Sequence, residues 1–152
     1  MNVDQPSLPT RILVPTDFSA SADAALDYTV KLASRLDAHV YVLHVFELPS
    51  FAVADAALLT SELAEGLERD AVLALDKWLE RHDLRGLDVT KIVRCGEPRS
   101  QIEATARTIG ADLLCMGTHG RRGFARALLG SVTELVVRTS TVPVLTMHAV
   151  AA

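Results

Sequence analysis

Gly117-Thr-His-Gly120 is followed by nine residues and then by Gly130-Ser131, the sharpest chemical pattern in the chain. Glycines let a backbone turn with positive φ and approach a ligand with no Cβ in the way. Runs of exposed amides in such turns converge on oxygen-rich anions. Gly130-Ser131 stands where a helix is expected to begin, and the free amides and positive dipole end of a helix suit a phosphate. Arg121, Arg122 and Arg126 lie in the same loop and supply positive charge. Ser131-Val-Thr-Glu134 also has capping-box form, in which the serine bonds the Glu134 amide and the glutamate reaches back. Spacing alone therefore leaves two readings open, an anion cradle or ordinary turn glycines before a capped helix. The two commonest nucleotide loops are absent, since neither G-x-x-x-x-G-K-[ST] nor G-x-G-x-x-G occurs in the chain.

Other reactive constellations are missing. His39, His44, His82, His119 and His148 show no H-x-x-x-H or Cys/His ligand spacing, so no zinc site is expected. His44 reads as a hydrogen-bonded wall residue, and His119, inside the glycine loop, as a candidate contact to phosphate or metal-bound water. Ser19 and Ser21 read as helix caps, because no G-x-S-x-G elbow or Ser/His/Asp set can be assembled. Cys95 and Cys115 have neither C-x-x-C nor metal spacing, which suits reduced thiols in the cytoplasm.

These residues need a scaffold, and hydrophobic periodicity supplies one. Arg11–Pro15, Val40–Val45, Val89–Arg94, Leu113–Met116 and Val142–Met147 are short, nearly continuous apolar runs. Continuous rather than alternating apolarity points to parallel strands covered on both faces. Between them lie helical patterns: one after the N-cap-rich Thr16–Ser19, one over Ala56–His82 bearing Trp78, one from Pro98 to the C-cap Gly110, and one after Ser131. Phe46–Ala54 reads as a loop. Pro143 inside the last apolar run points to a sheet edge. The strict β-α alternation predicts one open, doubly wound α/β sheet. Ligands of such sheets bind beyond the carboxyl ends of the strands, where strand order reverses. That rule selects the loops after Pro15 and Met116.

The composition permits this. The 152 residues are 49% hydrophobic and 22% charged, with net charge −4, enough apolar material for one core. The acidic balance argues against nucleic-acid binding, and no apolar run is long enough to span a membrane. Residues 1–10 are expected to be a flexible extension and 11–148 one domain.

Val14-Pro-Thr-Asp-Phe-Ser19, Leu43-His-Val45, Gly96-Glu-Pro98, Met116-Gly-Thr-His-Gly120, Leu128-Leu-Gly-Ser-Val-Thr-Glu134 and Val142-Pro-Val-Leu145 together resemble the universal stress proteins, from about Arg11 to His148. The G-x2-G-x9-G-[ST] element resembles the ATP-binding branch of that family. The resemblance implies a five-stranded parallel sheet in the order 3-2-1-4-5, of adenine nucleotide alpha hydrolase-like type. It implies ATP, with Mg²⁺, as the ligand. Pro15 and Thr16 would then shape a wall, Asp17 would meet the ribose or the phosphate-metal region, and the Val45 backbone the adenine edge. Met116, Gly117, Gly120, Gly130, Ser131, Val132 and Thr133 would surround ribose and phosphates, with His119 and Arg121 beside them. It further implies a homodimer through Val142–Met147. A carboxylate such as Asp17 at a strand's end can accept ribose hydroxyls or hold a hydrated cation; the alternative is that it caps the first helix. The chain lacks the phosphate-loop lysine, Walker B acid and catalytic-loop base of fast phosphoryl transfer. The reading is thus a nucleotide-dependent regulatory module, with a slow ATP hydrolase or phosphotransfer enzyme and a nucleotide-free interaction dimer as the alternatives.

Overall fold

A computed structural model describes residues 7–49, 61–119 and 129–149. Five strands, β1 (Arg11–Thr16), β2 (His39–Phe46), β3 (Val89–Cys95), β4 (Leu113–Gly117) and β5 (Val144–Met147), alternate with four helices. The helices are α1 (Ala20–Leu36), α2 (Ser61–Leu79), α3 (Pro98–Ile109) and α4 (Ser131–Thr139). The strands form one sheet in the order β3-β2-β1-β4-β5, with every neighbouring pair parallel. Both the doubly wound architecture and the expected order are present.

The apolar runs are continuous because alternate side chains feed two different cores. Ile12 and Val14 of β1, with Val40 and Val42 of β2, pack beneath α1 and α2 against Leu26, Val30, Leu75 and Trp78. Leu13, Leu43, Leu114 and Met116 point the other way and pack beneath α3 and α4 against Ile102, Ala106 and Val136. The sequence of β1 therefore has no polar face to show. Cys115 belongs to the first core, where burial pushes its thiol pKa up, whereas Cys95 is exposed. Among the described residues no helix is long and apolar enough to cross a membrane.

Element boundaries differ in detail. Within the described residues α2 runs Ser61–Leu79 and stops short of His82, while residues 50–60 lie outside them. Pro143 precedes β5 rather than interrupting it, and its carbonyl accepts the Leu114 amide at 2.9 Å. The edge position it suggested is the observed one.

At the end of the sheet away from the loops of interest, Asp112 ties the start of β1 to the start of β4. It accepts from the Thr10 amide at 3.1 and 2.9 Å, the Thr10 hydroxyl at 2.8 Å and the Arg11 amide at 3.0 Å. Burial raises the pKa of this carboxyl, but the hydrogen bonds to Thr10 and Arg11 outweigh it and hold it below the ordinary 3.8. A depressed carboxyl pKa stabilises the fold above the unfolded-state value, and that stabilisation fades as pH falls through the folded-state value. Asp112→Asn is expected to lower the urea midpoint at pH 7, with the gap to wild type narrowing below about pH 4. A gap independent of pH in that range would show that the carboxylate charge contributes nothing.

Candidate functional site at the switch point

Because β1 and β4 are neighbours, the chain leaves the sheet in opposite directions there, and the two loops open a crevice. It is a cavity of about 180 Å³ that opens to solvent. Its wall is apolar, from Pro15, Leu43, Val45, Ile102, Met116 and Val132, while Asp17, Ser19, His119, Ser131 and Thr133 bring polar atoms to it. Every described residue proposed for the site from the sequence lines this space: Pro15, Thr16, Asp17, Val45, Met116, Gly117, His119, Gly130, Ser131, Val132 and Thr133. Gly120 and Arg121, like Arg122 and Arg126, lie outside the described residues.

The turn that carries Asp17 is tightly built. The Thr16 hydroxyl accepts the Phe18 amide at 3.0 Å, and Asp17 Oδ1 accepts the Ser19 amide at 3.1 Å. Phe18 has φ +66°, a left-handed conformation rarely adopted by a bulky residue. Its ring stacks on His44 at 4.3 Å and meets Trp78 at 5.8 Å, which holds the backbone there. His44 is hydrogen-bonded as expected, with Nδ1 3.0 Å from the Thr16 carbonyl, but it does not line the crevice. The cap of α1 is Ser19, whose hydroxyl accepts the Ala22 amide, so Asp17 lies two residues before the cap and does not itself cap the helix.

Three helices begin at this crevice, and their starts differ. Ser19 caps α1. Glu97 caps α3, accepting the Arg99 amide at 2.9 Å and the Ser100 amide at 2.8 Å. The Ser100 hydroxyl and then these amides hold the Glu97 carboxyl pKa below its ordinary 4.5. The expected capping box at α4 is absent. Gly130, not Ser131, is the N-cap, and among the described residues no side chain caps the helix. The reason is one of register. The Glu134 amide is taken by the Gly130 carbonyl at 2.8 Å, so Ser131 is already inside the helix and its hydroxyl cannot cap it. The Gly130 amide and the Thr133 hydroxyl instead bond the carbonyls of Thr118 and Gly117, which docks α4 onto the end of β4.

Gly117 also has an unexpected reason to be glycine. Its φ is not positive; a Cβ there would lie 2.5 Å from Ser21 Oγ, 2.7 Å from the Ser21 carbonyl carbon and 2.8 Å from the Ala22 nitrogen. The bare backbone admits the first turn of α1 as well as bordering the crevice. Behind His119, the Thr118 hydroxyl lies 3.0 Å from Nδ1 of both His119 and His148, linking the loop after β4 to the end of β5. Among the described residues, no cluster of three or more His, Cys, Asp or Glu side chains is placed to hold a metal.

Fold and crevice together define an open parallel α/β protein with a hollow where the strand order reverses. The chain belongs to the universal stress protein family: the profile described as "Universal stress protein family" matches residues 9–148. Universal stress protein MJ0531 of Methanocaldococcus jannaschii is 32% identical over 135 residues, covering 89% of this chain and 79% of its own. MJ0577 of the same organism is 32% identical over 149 residues, covering 89% and 92%. The solved MJ0577 structure matches with TM-score 0.80 at 30% identity, over 94% of this chain and 98% of that one. A universal stress protein in complex with cAMP shares the fold, with TM-score 0.63 at 24% identity over 95% of this chain and 100% of that one.

Proposed function

We propose that the crevice binds ATP, together with Mg²⁺, and that the protein is a nucleotide-dependent regulatory module rather than a dedicated enzyme. The observation that carries this is the start of α4, the one helix start at the crevice that no side chain caps among the described residues. A helix with uncapped amides opening into a partly apolar hollow suits a ligand with a flat apolar base at one end and phosphates at the other. Within this reading Val45 and Met116 flank the base, Asp17 takes the ribose or a hydrated Mg²⁺, and the Ser131–Thr133 start receives phosphate. Gly120 and Arg121 complete the loop side. We further propose that residues 11–148 act as one cytoplasmic domain that dimerises through the exposed edge strand at Val142–Met147, since an unpaired edge is a template for another strand.

Calorimetric titration with ATP and Mg²⁺ tests the ligand, with cAMP alongside. Saturable ATP binding is the expected result. No binding at millimolar ATP and Mg²⁺ overturns the reading and favours a nucleotide-free interaction dimer, and tighter binding of cAMP moves the ligand to cyclic nucleotides. Recovery of ADP alone from the incubated complex would favour slow hydrolysis. In the same assay Asp17→Ala is expected to weaken ATP about tenfold, the effect of one hydrogen bond to a charged group. Unchanged affinity would leave Asp17 as no more than the acceptor of the Ser19 amide.

A further inference from the structure

Ser21 is buried behind the crevice, 3% exposed, on the first turn of α1, and it does not line the ligand space. Its hydroxyl donates to the His119 carbonyl, and the Ser19 hydroxyl reaches the same oxygen at 3.2 Å. The His119 amide in turn reaches Ser21 Oγ at 3.4 Å. A carbonyl oxygen can accept two hydrogen bonds, and here the Ser21 hydroxyl on α1 and the Ser19 hydroxyl at its N-cap both reach it. We infer that Ser21 is a positioning residue, one that keeps the His119 carbonyl oxygen turned away from the path of a polyphosphate.

The inference rests on the nucleotide reading above and deepens it. His119 borders the crevice, so a carbonyl turned inward there would present partial negative charge to the ligand's phosphates. Without the Ser21 hydroxyl the half-buried His119 carbonyl is left with the longer Ser19 contact at 3.2 Å, and an oxygen that loses its better donor turns towards water, of which the crevice is the nearest source. The Gly117 backbone makes the latch possible, because a Cβ at that position would displace Ser21. The penalty for losing the latch grows with each phosphate and is absent for a ligand without any.

The test is titration of wild type and Ser21→Ala with adenosine, AMP and ATP. Expected are unchanged adenosine affinity, a small loss for AMP and a loss of about tenfold for ATP. A Ser21→Thr variant, which keeps the hydroxyl, is expected to restore ATP affinity. Should alanine cost the fold, Ser21→Cys has nearly the same shape and a weaker donor, and the same graded order is expected. Equal losses for adenosine and ATP mark a purely structural bond and overturn the inference. So does unchanged ATP affinity in folded Ser21→Ala and Ser21→Cys. Wild-type protein that binds neither adenosine nor ATP overturns the nucleotide reading and this inference with it, an outcome visible before any variant is made.

Discussion

Trp78→Ala is expected to remove about 3–5 kcal/mol of stability, the usual consequence of truncating a large buried aromatic. The indole is 2% exposed, packs in the core beneath α1 and α2, and donates from Nε1 to Asp23 Oδ1 at 2.6 Å. Its ring also meets His82 edge-on at 4.7 Å. Truncation therefore leaves a cavity and removes the indole donor from Asp23, whose Oδ1 keeps His82 Nε2 at 3.3 Å. Domains of this size hold about 5–15 kcal/mol in all, so the variant is expected to sit near the edge of folding. Trp78 is the sole tryptophan, so its replacement must be followed by circular dichroism rather than fluorescence. Trp78→Phe keeps most of the volume and is expected to be distinctly milder. A loss below about 1 kcal/mol for the alanine variant would mean that this core collapses freely around the missing ring.

Gly117→Ala is expected to lower stability by about 1–3 kcal/mol, the usual range for overpacking. The added methyl has no free direction, because two of the three atoms it meets are main-chain atoms of α1. Relief requires the first turn of α1 to back away from β4, which also pulls Ser19 and Ser21 off the His119 carbonyl. ATP affinity is expected to fall along with stability. Denaturant midpoints and nucleotide titration check the two effects. An alanine variant as stable as wild type would show that the helix and strand approach less closely than described.

Both variants probe features that differ in how plainly the sequence announces them. The sheet was legible because strands buried on two faces cannot carry polar residues at alternate positions; Ile12, Leu13 and Val14 state this in three letters. Alternation with helices does not fix the order of the strands, which only the resemblance to the universal stress proteins implied, and eleven described residues proposed for the site do border one crevice. The start of α4 was not legible. Ser131 and Glu134 have the right types and spacing for a capping box, but the pattern cannot report that Gly130 has already taken the extended cap conformation. Glu97 went unnoticed as a cap for the opposite reason, since glutamate lies outside the usual capping set of Ser, Thr, Asp and Asn. Phe18 was invisible too, because nothing in a phenylalanine announces φ +66°; the stack on His44 that holds it is a tertiary fact. Gly117 was read for its approach to a ligand, while its missing Cβ faces a helix.

The bare beginning of α4 has a consequence for whatever anion settles there. At α1 and α3 a serine and a glutamate complete the first turn of their own helices. Here the guest would do that work, so that host secondary structure and bound ligand become parts of one another. Such a protein would carry its occupancy in its backbone, and a partner touching α4 could read the difference without ever touching the ligand.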